Sequence, residues 1–175
     1  MIKKVLIATD GSVHAEKAVA FGSDIAAKYD AEVLLVHVLL RKEVSEEFYH
    51  MAEIEYGVNV RPLSEAIANV PAARFPANIT FTKQDLSAPG RMLMILGENI
   101  LEQAAEMAQE HGVSKVRKRI EDGNPVSRIL EIIEAEDVDL VVSGARGLSD
   151  LKALVVGSVS HKLTHLSPVT CITVK

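Results

Sequence analysis

Residues 141 to 163 read VVSGARGLSDLKALVVGSVSHKL, and glycines and hydroxyls that could hold an anion lie close together there. Gly144 and Gly147 stand three apart, nine residues separate Gly147 from Gly157, and Ser158 and Ser160 flank Val159. A glycine has no Cβ, so the backbone around it can approach a ligand closely. Gly144 is expected to let the chain leave a strand in this way. Gly147 is expected to take a positive φ and turn further N–H groups inward, forming an anion nest. The GSVS segment is expected to open a helix, whose first N–H groups lack partners and whose dipole favours negative charge. The serine hydroxyls add donors, and the group that fits is a polyphosphate. A plain helix cap would use Gly157 and Ser158 equally well, and these residues alone leave both readings open.

A second group of such residues lies in ATDGS, residues 8 to 12, where Asp10 could face a cation or simply serve the turn before Gly11. Two familiar phosphate fingerprints are missing. No G-x-x-x-x-G-K-[ST] occurs, because Gly157-Ser158 lacks the lysine, and no G-x-G-x-x-G follows the first apolar run. P-loop hydrolysis and dinucleotide redox chemistry both lose ground.

The elements that must position these groups alternate along the chain. IKKVLIATD is a short apolar run, as in a strand buried on both faces. GSVHAEKAVAFGSDIAAKY places Val13, Ala18, Phe21, Ile25 and Ala26 near helical spacing, with Ser12 as cap. AEVLLVHVLL is a second buried strand, completing a β-α-β unit of right-handed crossover. The pattern then repeats: a helix from about Gly90 to Gly112, the strand VSKVRKRIE, and a helix capped by Asn124 with Pro125 in its first turn. VDLVVSG, GSVSHKLTHLS and PVTCITVK follow as strand, helix and strand. Such alternation predicts an α/β fold with a doubly wound, five-stranded parallel sheet covered by helices on both faces. Ligands in such sheets bind beyond the strand carboxyl ends, where strand order reverses. If ATDGS and SGARG serve one ligand, their strands are neighbours, and the order is 3-2-1-4-5.

Bulk properties bound the rest. The 175 residues form most economically one domain, and a net charge of −5 argues against a general nucleic-acid binder. A single cysteine, Cys171, excludes an intrachain disulfide and suits a reducing compartment. The first residues are too short in apolar run for a signal peptide, and no run approaches membrane-spanning length, so a cytoplasmic location is expected. Residues 57 to 90 hold Pro62, Pro71, Pro76 and Pro89, and are expected to form a surface excursion in which LSEAIANV is helical and ANITFT extended.

The spacing G-x2-G-x9-G-S, together with KKVLIATDGS and the closing VDLVVSGARGLSDLKALVVGSVSHKLTHLSPVTCITV, resembles the ATP-binding motif of the universal stress protein family. The match covers about residues 2 to 56 and 91 to 175. The resemblance implies a Rossmann-like fold close to the adenine nucleotide alpha hydrolases, and ATP as ligand. By position it implies Ala8 and Thr9 along the adenine side and the Val38 backbone at the adenine edge. Asp10 would lie on the ribose-phosphate side, holding Mg or Mn through water. Gly144 and Gly147 would cradle ribose and phosphates, and Gly157, Ser158, Val159 and Ser160 would donate to the phosphate tail. Arg146 belongs to the same loop. Ser143 stands at one wall of the adenine pocket, where an apolar residue is frequent in the family.

Other signals carry less. His161 and His165 have the i,i+4 spacing of two metal ligands, but Lys162 stands where a metalloprotease helix carries glutamate, and no third ligand is evident. His37, inside an apolar strand, reads as a satisfied core histidine. Glu98, Glu102, Glu106 and Glu110 form an i,i+4 stripe, read as a solvated face. Lys115, Arg117 and Arg119 share one face of a strand, as a basic patch or as protection of a sheet edge.

Three functional classes follow. The leading one is a nucleotide-binding regulatory protein in stress response, without a catalytic role beyond slow ATP hydrolysis. The second is an adenine-nucleotide-hydrolysing enzyme of the related superfamily, whose members resemble one another in an S-G-G-x-D-S loop where this chain has ATDGS. The third is a phosphoreceiver, which needs an acidic cluster that Asp10 alone does not supply. The uncharged fifth strand is expected to pair antiparallel in a homodimer through Val169, Cys171, Ile172 and Val174, as the resemblance also implies.

Overall fold

In the computed structural model, residues 1–39, 88–147 and 157–175 are described. The chain divides into two compact units, Met1–Leu39 with Gly97–Lys175, and Leu40–Leu96. Within the first unit the described elements are β1 (Lys4–Ala8), α1 (Val13–Tyr29), β2 (Glu32–Leu39), α2 (Ala88–Glu110, whose first turns belong to the second unit), β3 (Val116–Asp122), α3 (Pro125–Ala135), β4 (Leu140–Gly144), α4 (Ser158–Leu166) and β5 (Thr170–Val174). All strand pairs are parallel and the order is β3-β2-β1-β4-β5, as the two strand-end motifs require. Most of the proline-rich stretch lies outside the described residues, LSEAIANV and ANITFT included. Residues 88 to 90 open α2, where Pro89 occupies the first turn that proline tolerates.

β1 and β2 are buried on both faces because helices lie above and below them. Val5, Ile7, Val33 and Leu35 meet α1 and α2 on one side, while Leu6, Leu34, Val36 and Val141 meet α3 and α4 on the other. Ser12 caps α1 by accepting the Ala15 N–H at 3.3 Å, and Asn124 caps α3 by accepting the Ser127 N–H at 3.2 Å. Pro125 follows at the start of α3.

The buried stripe of α1 differs from the expected one. Val13 and Phe21 are exposed, and Ala15, Ala18, Val19, Gly22, Ser23 and Ala26 face the sheet. The helix lies so close to β1 and β4 that small residues fill the interface, which turns the bulkier pair outward. β3 carries no open basic patch either. Arg117 pairs with Glu32 and Glu136, Arg119 with Glu121 and Glu136, and Lys118 with Glu102. Lys4 also reaches Glu136, at 3.3 Å, so one carboxylate at the end of α3 serves three cations. Arg117, the strongest of these partners, holds the Glu136 carboxyl below its usual range. Of the glutamate stripe, Glu102, Glu106 and Glu110 are solvated, but Glu98 is half-buried, and burial raises its pKa. No described helix is long and apolar enough to cross a membrane.

Candidate nucleotide site

The carboxyl ends of β1 and β4 are adjacent, with Ala8 opposite Ser143 in the ladder, and strand order reverses between them. ATDGS and SGARG therefore lie together at the strand-order reversal, the place where a ligand is expected in such a sheet. Along each strand side chains alternate between faces. Ala8 and Val38 pack toward the α3 and α4 side, and Ser143, two residues after Val141, lies on that same side, opposite to Val142. Ala8 and Val38 are half-buried, and Ser143 is buried.

Thr9 is placed differently from the expectation. Its side chain turns to the opposite side, into a small cleft with Val19 and Ile100, and its hydroxyl accepts the Gly11 N–H at 3.3 Å. Its backbone is also engaged, since the N–H donates to Val36 O at 2.9 Å and the carbonyl accepts from His37. That second contact, Nδ1 to Thr9 O at 2.9 Å, satisfies His37 as a buried core histidine. A carbonyl only accepts, so Nδ1 carries the proton. Burial, the dominant cause, lowers the His37 pKa, partly opposed by this bond and by the charge of Asp10.

Asp10 Oδ1 accepts the Ser12 N–H at 3.0 Å, and Gly11 turns the chain with φ of 79°. Its other oxygen meets the second motif: a Cβ on Gly147 would stand 2.4 Å from Asp10 Oδ2. Gly147 does not adopt the positive φ expected of a nest residue; among the described glycines only Gly11, Gly112 and Gly123 do. A side chain there would have to displace the Asp10 carboxylate from the space it occupies. Gly144 likewise answers to a protein neighbour, since a Cβ would lie 2.7 to 2.9 Å from backbone atoms of His14 and Ala15. The two glycines let SGARG close against the β1–α1 loop, a contact sealed by Ser12 Oγ donating to Arg146 O at 3.3 Å. Arg146, in the same loop, is half-buried.

Ala145 then joins three elements. Its N–H donates to Val174 O at 2.6 Å, and its carbonyl accepts the Gly157 N–H at 2.6 Å and the Ser160 hydroxyl at 3.1 Å. Ser160 is buried and spends its one proton on the backbone, so its contribution to an anion would come from its N–H. α4 begins at Ser158 behind Gly157, which has no side chain to cap it, and its first intrahelical bond is His161 N–H to Gly157 O. The N–H groups of Ser158, Val159 and Ser160 precede that bond, as an anion site at a helix start requires. His161 and His165 stack edge to face with ring centroids 4.7 Å apart. Among the described residues no three potential metal ligands cluster.

β5 is an edge strand, paired only with β4 among the described residues. Cys171 and Val169 pack toward α3 and α4, Ile172 and Val174 toward α1, and all four are half-buried. Burial raises the Cys171 pKa, which makes its thiol a weak nucleophile.

The chain is 31% identical over 171 residues to universal stress protein YxiE of Bacillus subtilis, covering 98% of this chain and 96% of that one. Among solved structures it superposes on a universal stress protein in complex with cAMP, with TM-score 0.60, 21% identity and coverage of 99% of this chain. That superposition covers 97% of the other chain. The universal stress protein of Archaeoglobus fulgidus in complex with dAMP gives TM-score 0.58, 15% identity, and coverage of 100% and 98%. With the family model matching residues 1–175, the chain belongs to the universal stress protein family.

Proposed function

We propose that this protein binds ATP with Mg or Mn in the crevice between β1 and β4, and acts as a regulatory protein rather than an enzyme. The observation that carries this reading is the convergence of three parts at one strand-order reversal. Asp10 lies against Gly147, Gly144 lies against α1, and the first N–H groups of α4 are held beside them through Ala145. Ala8 and the Val38 backbone would take the adenine, Gly144, Arg146 and Gly147 the ribose and proximal phosphates, and residues 157 to 160 the phosphate tail. Asp10 fits a divalent ion held through water, because its carboxylate faces the side of Gly147 that a Cβ would fill. The metal would neutralise phosphate charge beside that carboxylate. Two relatives of the same fold are complexed with cAMP and dAMP, which supports an adenine nucleotide here.

A binding role fits better than turnover because two of the crevice hydroxyls are committed to backbone, Ser12 to Arg146 O and Ser160 to Ala145 O. The runner-up is a slow ATP hydrolase of the related superfamily. Nucleotide occupancy would bias a homodimer through the open edge of β5, or a protein partner, in the cytoplasm. The test is to denature the purified protein and identify released nucleotide by chromatography, then titrate nucleotide-free protein with MgATP. ATP released intact, with micromolar rebinding, is the expected result. ADP or AMP accumulating from added ATP would favour the hydrolase, and no binding of any adenine nucleotide would overturn the reading.

A further inference from the structure

Among the described residues, three buried side-chain oxygens have no hydrogen-bond partner: Ser23 Oγ, Glu98 Oε1 and Ser143 Oγ. Ser23 lies within α1 and Glu98 on α2. Ser143 alone sits at the carboxyl end of a strand, one residue before β4 ends, and only 4% of it is exposed. It stands opposite Ala8 in β1 and Thr173 in β5, and its side chain shares the α3 and α4 side with Ala8 and Val38. Nothing local satisfies it. The nearby Ser160 hydroxyl donates to Ala145 O and to Gly157 O, so its proton is directed at backbone. A buried hydroxyl without a partner costs stability that a valine or alanine at the same place would not. A strand whose other side chains are those of Leu140, Val141 and Val142 therefore keeps a polar group where packing alone favours an apolar one.

We propose that the Ser143 hydroxyl reads the base of the bound nucleotide, hydrogen-bonding a ring nitrogen or amino group of the purine. This inference rests on the ATP-binding reading above and adds a specific polar contact to it. The phosphates lie toward residues 157 to 160, so the contact belongs to the base and not to the tail. A hydroxyl both donates and accepts, and either polarity of the base edge satisfies it.

The experiment compares two probes on nucleotide-free protein by calorimetry: MgATP, and magnesium ribose 5-triphosphate, which lacks the base. Ser143→Ala is expected to weaken MgATP about fivefold to tenfold, as loss of one net hydrogen bond requires, and to leave the baseless probe unchanged. Ser143→Thr, which keeps the hydroxyl, is expected to retain more MgATP affinity than Ser143→Ala. The nucleotide-free Ser143→Ala protein is expected to melt no lower than the unaltered chain, since an unpaired hydroxyl has been removed. Opposite movement of melting temperature and affinity is a signature that a merely structural serine does not produce. MgATP affinity unchanged in Ser143→Ala would overturn the base contact and leave ATP binding standing. Equal losses for both probes, or equal losses in the alanine and threonine variants, would also overturn it. Failure of the unaltered chain to bind MgATP would remove the nucleotide site itself, and this inference with it.

Discussion

Gly144 and Gly147 belong to one motif, yet the structure gives them separable consequences when alanine replaces each. At Gly144 a Cβ would meet His14 C, Ala15 N and His14 O at 2.7, 2.8 and 2.9 Å, all backbone atoms in the first turn of α1. Those atoms move only if the helix moves, and forced overpacking of this kind costs about 1–3 kcal/mol. At Gly147 the Cβ would meet a side chain, Asp10 Oδ2 at 2.4 Å. The carboxylate can rotate away, at the expense of its 3.0 Å bond from the Ser12 N–H. A hydrogen bond to a charged group is worth about 1.5–3 kcal/mol, and alanine returns about 0.4–1 kcal/mol by restricting the unfolded chain, because φ at 147 is not positive. The net loss for Gly147→Ala is therefore about 0.5–2.6 kcal/mol. Its binding defect is expected to be larger, because Asp10 is pushed out of the place where it would complement the metal. Urea denaturation of both variants, paired with MgATP calorimetry, separates the two effects. Gly144→Ala should lose the greater stability, and Gly147→Ala should lose at least tenfold in MgATP affinity while remaining folded. A folded Gly147→Ala protein that binds MgATP normally would refute the assigned role of the Asp10–Gly147 contact.

Asp10→Asn should weaken ATP chiefly when Mg or Mn is present; equal losses without metal would make Asp10 a turn residue only. Gly157→Asp places a carboxylate at the start of α4 beside the phosphate site, so ATP affinity should fall at least about tenfold, measured by calorimetry. Ile172→Lys, on the edge strand, should give a folded monomer in sedimentation, and a dimer of unchanged stability would remove β5 as the interface. His37 supplies a pH test. Its folded pKa lies below the ordinary 6.5, so the unfolded chain takes up the proton first as pH falls. Its contribution is complete above that value and is lost as pH drops toward the folded pKa, with a slope of at most about 1.4 kcal/mol per pH unit. His37→Gln should flatten that part of the stability profile, and an identical slope in the variant would contradict a neutral, buried His37.

Much of this was legible in the chain because the relevant signals are local. The apolar runs of β1, β2 and β4, the Ser12 cap and the Asn124-Pro125 start each depend on a few neighbouring residues. Strand order also followed, since ATDGS and SGARG can share a ligand only if their strands adjoin. Long-range packing was not legible in the same way. Val13 and Phe21 look like the core face of α1 by periodicity, but closeness to the sheet gave that face to alanine, glycine and serine. Gly147 reads as a residue of special φ, whereas the constraint comes from Asp10, more than a hundred residues earlier in the sequence. Thr9 adjoins Ala8 in sequence and faces the other side of the sheet. The Arg117 and Arg119 cations look available until Glu136 arrives from the end of the next helix. The resemblance marked Ser143 as a hydroxyl at one wall of the adenine pocket, but its burial without a partner could not be read from the chain.

The Ala145 crossing has a consequence for how a ligand could act at a distance. Two backbone bonds and one hydroxyl bond meet at this residue, tying the end of β5 to the start of α4. At about 1 kcal/mol each, releasing them together costs about 3 kcal/mol, so a detached arrangement is populated at roughly one part in a hundred. That is a small enough gap for a nucleotide to overcome and a large enough one to keep the resting state uniform. The deciding quantity is then differential affinity. A nucleotide that grips α4 equally well in both arrangements leaves the edge strand where it was, however tightly it binds. One that prefers the detached arrangement a hundredfold makes the two about equally populated, whereas one that prefers the tied arrangement only thins a state already near one part in a hundred.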